Sequence, residues 1–150
     1  MEIRTAQRGD LEEIVRLLAD DELGSRRERY EKPLPPAYEE AFSAITGQTG
    51  NSILVAEING DVVGCLQLTL IPGLARMGMT RAQVEGVRVD SRYRGHGIGK
   101  ALLEHAIETA KVHGCGLVQL TTDKTRGDAH RFYEKLGFTA SHEGMKLSLD

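Results

Sequence analysis

The stretch that decides the fold is Val84-Glu85-Gly86-Val87-Arg88-Val89-Asp90-Ser91-Arg92-Tyr93-Arg94-Gly95-His96-Gly97-Ile98-Gly99-Lys100-Ala101-Leu102-Leu103. Val84, Val87 and Val89 are the β-branched side chains of a buried strand. Asp90 and Ser91 end it, and Arg94 through Gly99 then pack three glycines into six residues. From Ile98 the apolar positions Leu102, Ala106 and Ala110 recur at helical spacing, with Leu103 and Ile107 widening the stripe. A glycine loop that opens a helix aims several unpaired backbone N–H groups at one point. The helix dipole adds its positive end, so this stretch is a site for a phosphate or pyrophosphate.

Two common phosphate loops do not fit. A Walker loop needs Gly-Lys-Ser/Thr, and Gly99-Lys100 is followed by Ala101; the residue where its first Gly should stand is Arg94. The dinucleotide pattern Gly-x-Gly-x-x-Gly meets Lys100 or Leu102 where its last glycine should stand. Arg94-Gly95-His96-Gly97-Ile98-Gly99 does fit Arg/Gln-x-x-Gly-x-Gly/Ala. In this it resembles the acyl-CoA pyrophosphate loop of the GNAT superfamily of N-acetyltransferases. A second block, Ala129-His130-Arg131-Phe132-Tyr133-Glu134-Lys135-Leu136-Gly137-Phe138, is similar to the last motif of the same superfamily, at the usual distance downstream. The stretch Asp128 to Tyr133 also looks like aminoalkylphosphonate acetyltransferases, a match too short to assign a substrate.

Outward from this centre, residues 2 to 6 read as a first strand. Asp10 and Glu13 are spaced for a capping box at the start of a helix reaching about Leu23, with Gly24 as its stop. Residues 25 to 37, with Pro33, Pro35 and Pro36, read as a loop or broken helix, and Pro36 to Thr46 as a second helix. Ser52 to Ile58 and Val62 to Ile71 form a hairpin across Asn59-Gly60-Asp61. Thr80 to Val89 is the next strand, and Gly86 in its middle marks a β-bulge or a close ligand approach. A helix over 97 to 113, a strand over Cys115 to Thr121, a helix over about Gly127 to Leu136 and one or two strands in 138 to 149 complete the chain. The unit 84 to 121 calls for a right-handed parallel crossover. The expected fold is therefore α/β: a mixed, mostly antiparallel sheet with helices on both faces and a β-α-β core, in a single domain over 1–150.

Charge and cysteine usage narrow the function. The formal net charge is −3, which argues against general nucleic-acid binding. Basic side chains nevertheless cluster at Arg88, Arg92, Arg94, Lys100, Lys124, Arg126 and Arg131. Such a cluster in a mildly acidic chain suits a small polyanion, the plainer reading being a solvated basic face. Cys65 and Cys115 match no zinc or redox spacing, and no His/Asp/Glu spacing demands a metal. No apolar run is long enough to span a membrane and the first residues are not those of a signal peptide, so the default location is cytoplasmic.

The resemblance implies acetyl-CoA as co-substrate, a small-molecule primary amine as acceptor, and a homodimer as the common assembly. It places the backbone of Val87, Arg88 and Val89 against the pantetheine amides, as an added strand. It places the N–H groups of Arg94, Gly95, His96, Gly97, Ile98, Gly99 and Lys100 on the pyrophosphate. Where relatives often have Asn, seven residues before the tyrosine, this chain has Arg126, a side chain suited to a CoA phosphate. Tyr133 is the candidate general acid for the departing thiolate; its alternative is a core aromatic beside Phe132. Glu85 is the candidate base, sharing a strand face with Gln83; its alternative is an ion pair with a neighbouring arginine. The same features are open to two further readings, a non-catalytic acyl-CoA-binding sensor and a protein-lysine acetyltransferase.

Overall fold

The computed structural model describes all 150 residues. Its five strands, β1 (Glu2–Thr5), β2 (Asn51–Ile58), β3 (Asp61–Ile71), β4 (Arg81–Val89) and β5 (Leu117–Leu120), lie side by side in chain order. The first three pairings are antiparallel and β4 pairs with β5 in parallel. The β2–β3 turn is made by Asn59 and Gly60, both at positive φ, which suits the twist of a two-residue hairpin. The parallel pairing follows from helix α5 (Ile98–Val112), which carries the chain back between β4 and β5.

Period-two alternation sorts the sheet into two faces. Leu54, Ala56, Leu66, Leu68, Ala82 and Val84 meet Ile98, Leu102, Leu103, Ala106 and Ala110 of α5. Gly64 belongs to this contact: a Cβ there would stand 3.0 Å from both Ile98 Cγ2 and Leu102 Cδ1, so the glycine lets α5 settle onto the strand. On the other face Val55, Val62 and Cys65 pack against α1 (Leu11–Ala19) and Phe42 of α3 (Pro36–Thr46). Burial pushes the Cys65 thiol up to about 12, leaving an inert core residue.

Three local expectations change. Asp10 does not cap α1: its carboxylate accepts from Gln7 N at 2.7 Å and from Arg4, closing the turn before the helix. The first helix stops at Ala19, and a separate short helix, α2 (Glu22–Arg27), contains Gly24 as a buried interior residue. A Cβ on Gly24 would stand 1.9 Å from Leu18 O, so this glycine allows α2 to fold back on α1. Asp21 caps α2 by accepting from Gly24 N at 2.5 Å. The tail beyond α6 (Gly127–Lys135) forms no strand. Met145, Leu147 and Leu149 keep strand-like alternation but pair with no strand and are 94, 86 and 93% exposed. The connection after β3 holds only the irregular turn α4 (Ala75–Gly78), with Arg76 and Met77 left-handed.

Asp90 is the one buried charged residue, 1% exposed at the end of β4. Its carboxylate accepts from Arg92 N at 2.9 Å and lies 2.9 Å from Arg92 Nη2 and 3.1 Å from Arg16 Nη2. Arg92, ahead of burial and Arg16, holds the carboxyl far below the usual carboxylate range. A depressed folded pKa stabilises the fold above the unfolded value, about 3.9, and that stability is lost as pH falls below it. Asp90→Asn is expected to cost roughly 2–3 kcal/mol at neutral pH in urea denaturation, the scale of charge-assisted bonds. The gap from the parent chain should shrink below about pH 4; a gap that stays constant to pH 3 would contradict this assignment.

Candidate active site

The site is built where β4 and β5 part. Their pairing ends at Val84↔Leu120, whereas β4 continues to Val89 against β3 alone. The β5-facing edge of residues 85–89 therefore has no strand partner. The β3–β4 register shifts between Cys65 and Gln67, which pair with Arg88 and Glu85. Two β4 residues, Gly86 and Val87, thus stand opposite Leu66. Gly86 takes the strain at φ 62, so the expected bulge is present. Glu85 and Arg88 flank it on one face, with Gln83, while Val87 and Val89 pack toward α5. Gln83 accepts a hydrogen bond from Gln119 Nε2 at 2.7 Å. Glu85 is exposed and has no ion pair, so its carboxylate is available to a ligand.

The glycine loop follows a 3-10 turn, Ser91–Tyr93, tied to Asp90. Gly95 and Gly97 are left-handed at φ 81 and 78, and a Cβ on either would meet nothing within 4 Å. These glycines serve the backbone turn, and the space above them is open to a ligand. Gly97 caps α5 with no side-chain hydrogen bond, and the first helical bond runs from Ala101 N to Gly97 O. Ile98 is buried, while Arg94, His96 and Lys100 are exposed around the opening. His96 Nδ1 lies 3.0 Å from Tyr93 O and 3.1 Å from Arg94 O, so its ring braces the loop. Gly99 is needed for packing: its Cβ would stand 3.3 Å from Phe132 Cζ and 3.5 Å from Val89 Cγ2.

That contact brings α6 to the mouth. Tyr133 stacks edge-on between Phe132 and Phe138, with centroids 5.1 and 5.9 Å away. Burial raises its phenol above the ordinary value, while Arg88 and Arg126 pull it back. Tyr133 is thus both a packed aromatic and a neutral hydroxyl within the field of two cations.

The two arginines belong to a group that spacing alone does not reveal. Arg126 Nη2 lies 2.7 Å from Asp21 Oδ2, and Arg88 Nε lies 3.9 Å from the same oxygen. Asp21 stands in the break between α1 and α2, over a hundred residues before Arg126 in the chain, which is why no local pattern announces it. Arg126 is thus engaged by a carboxylate of the opposite wall. Lys124 pairs with Glu143 at 3.8 Å and Arg131 pairs with Asp128 on an exposed turn of α6, so the predicted basic cluster is only partly one site. No group of three or more His, Cys, Asp or Glu residues is placed to hold a metal ion.

Comparisons with known proteins bear on the family and the fold. Residues 12–138 match the family model described as Acetyltransferase (GNAT) family. A crystal structure named as a transcriptional regulator from Bacillus halodurans C-125 is 55% identical, with a TM-score of 0.97 and 99% of each chain covered. The glucosamine 6-phosphate N-acetyltransferase of Trypanosoma brucei brucei is 39% identical over 90 residues, 60% of this chain and 59% of that protein. The aminoalkylphosphonate N-acetyltransferase of Salmonella typhimurium is 33% identical over 106 residues, 71% of this chain and 68% of that protein. The chain thus spans less than two thirds of the length of the first of these curated relatives.

A bulky residue in the loop should close the opening. Gly97→Val is expected to weaken CoA binding at least about tenfold by calorimetry, because the side chain would occupy the space above a left-handed residue. Unchanged affinity in a folded variant would move the pyrophosphate site elsewhere.

Proposed function

Because the chain belongs to the GNAT acetyltransferase family, we propose that it transfers the acetyl group of acetyl-CoA directly to the primary amine of a small molecule. The carrying observation is the unpaired edge of β4, with the free carboxylate of Glu85 at its start, and Tyr133 of α6 packed on the same core cluster as Val87 and Val89. The names of the two curated relatives, both small-molecule amine acetyltransferases, support the acceptor class.

In this reading pantetheine lies along Val87, Arg88 and Val89 as an added strand, and the loop from Arg94 to Lys100 holds the pyrophosphate. Arg126 adds a cation beside the same cleft. The exposed donors and open space of that loop fit an extended phosphate ligand. A backbone N–H at the bulge polarises the thioester carbonyl. Glu85, directly or through one water, takes the proton that an amine of pKa about 10.4 must lose before its lone pair attacks. The C–N bond forms, the C–S bond breaks, and Tyr133 gives its proton to the departing thiolate. Burial keeps that phenol protonated at neutral pH.

A second reading, a non-catalytic acyl-CoA-binding sensor, draws on the transcriptional-regulator name of the 55% identical structure. Steady CoA release with an amine panel separates the two. Tight acetyl-CoA binding without turnover on any amine would favour the sensor.

Two substitutions test the assigned roles. Glu85→Gln should slow acetylation by about 10²-fold or more at neutral pH, the scale of general-base catalysis. Its deficit should shrink as pH rises toward the amine's pKa. A wild-type rate throughout that range would remove Glu85 from the chemistry. Tyr133→Phe should keep the fold and acetyl-CoA affinity while turnover falls by about 10²-fold. The low end of general-acid effects is expected because the phenol is less acidic than the thiol it protonates. Unchanged turnover with chemistry rate-limiting would leave Tyr133 a packing residue.

A further inference from the structure

The same cleft holds more positive charge than acetyl transfer itself requires. Arg88 reaches it from β4 and Arg126 from the loop before α6. Against these two guanidiniums stands Asp21, whose two oxygens are already committed. Oδ1 caps α2 at Gly24 N, and Oδ2 meets Arg126 at 2.7 Å. Asp123, at the rim, is occupied by the hydroxyl and backbone N–H of Thr125.

Arg88 is left short of partners. Its Nη1 donates to Val87 O at 2.9 Å, but its Nε is shielded from solvent with no hydrogen-bond acceptor. The 3.9 Å to Asp21 Oδ2 is an ion-pair distance and too long for a hydrogen bond. Shielded donors of this kind are rare in folded proteins, and each destabilises the fold unless something pairs with it. A guanidinium with a free Nε–H is built to receive two oxygens of a carboxylate, phosphate or phosphonate.

Its position indicates which molecule brings those oxygens. The bulge puts Arg88 on the same face as Glu85, opposite Cys65 and Gln67 of β3. Two strand positions span roughly 6.6 Å. The glycine loop lies on the far side of Asp90, at the start of α5. Arg88 is therefore placed near the amine end of the reaction. We propose that Arg88, with Arg126, forms a subsite for an oxyanion carried by the acceptor amine, and that Asp21 holds the two arginines in place until that oxyanion replaces it. The inference rests on the acetyltransferase reading and adds the acceptor class: a short amine bearing a carboxylate, phosphate or phosphonate.

The test uses a matched pair, 2-aminoethyl phosphate and ethanolamine, with the full chain and saturating acetyl-CoA. The parent protein should favour the phosphorylated amine at least tenfold in kcat/KM. Arg88→Met, which keeps the apolar stem, should erase that preference, mainly by raising KM for the phosphorylated amine. Arg88→Lys should restore part of it. Asp21→Asn keeps the α2 cap and removes the competing charge, so it should lower KM for the phosphorylated amine. Equal use of both amines by the parent protein would overturn the proposal while leaving acetyl transfer intact. Loss of acetyl-CoA affinity in Arg88→Met, with the preference retained, would assign the arginines to a CoA phosphate and also overturn it. Inorganic phosphate binding to the CoA-loaded protein, followed by NMR, reads the subsite without turnover. If no amine is acetylated, the enzyme reading fails, and this measurement still decides the subsite. Binding lost in Arg88→Met supports it, and equal binding in both proteins overturns it.

Discussion

Between Cys65 and Gln67 of β3, strand β4 carries one residue more than its partner, and Gly86 absorbs it at positive φ. A bulge increases the local twist and bends the strand. Three consequences meet at this point. Glu85 and Arg88, which an unbroken strand would turn to opposite faces, share one. Val87 and Val89 keep their packing toward α5. The outer edge of the strand loses contact with β5, whose pairing stops at Leu120. One residue thus creates the cleft and chooses the side chains that line it.

The rest of the fold holds that strand still. Asp90 ties its end to Arg16 of α1 and to Arg92 of the following turn, so the glycine loop starts from a fixed point. Gly64 and Gly99 let α5 approach the sheet and α6, which brings Tyr133 to the mouth. On the opposite wall Gly24 folds α2 onto α1 and sets Asp21 against Arg126. Each close approach is made by a glycine whose Cβ would meet a neighbouring atom, which ties catalytic geometry to core packing.

Much of this was readable in the sequence because its signals are local. The valines of β4, the glycine loop, the stripe of α5 and the Ala-x-x-Phe-Tyr block each lie within one element, and the bulge is announced by a glycine inside a strand pattern. What escaped was non-local. Gly24 reads as a helix stop, since its need for space comes from Leu18 O. The side chain of Asp21 belongs to the site only because the chain turns there. Arg88 cannot be assigned to a face until the bulge is counted in three dimensions. The alternation of Met145, Leu147 and Leu149 satisfies the local rule for a strand, but pairing is a non-local contact that the pattern does not fix, and these side chains stay exposed.

A crystal structure of the chain with acetyl-CoA tests the central claim most directly, that the free edge of β4 is a ligand strand's place. The account expects pantetheine amides hydrogen-bonded to the backbone over Val87 to Val89, with the pyrophosphate on the N–H groups of the loop from Arg94 to Lys100. Acetyl-CoA bound away from β4, or β5 found closed against residues 85–89 with the cofactor in place, would contradict it.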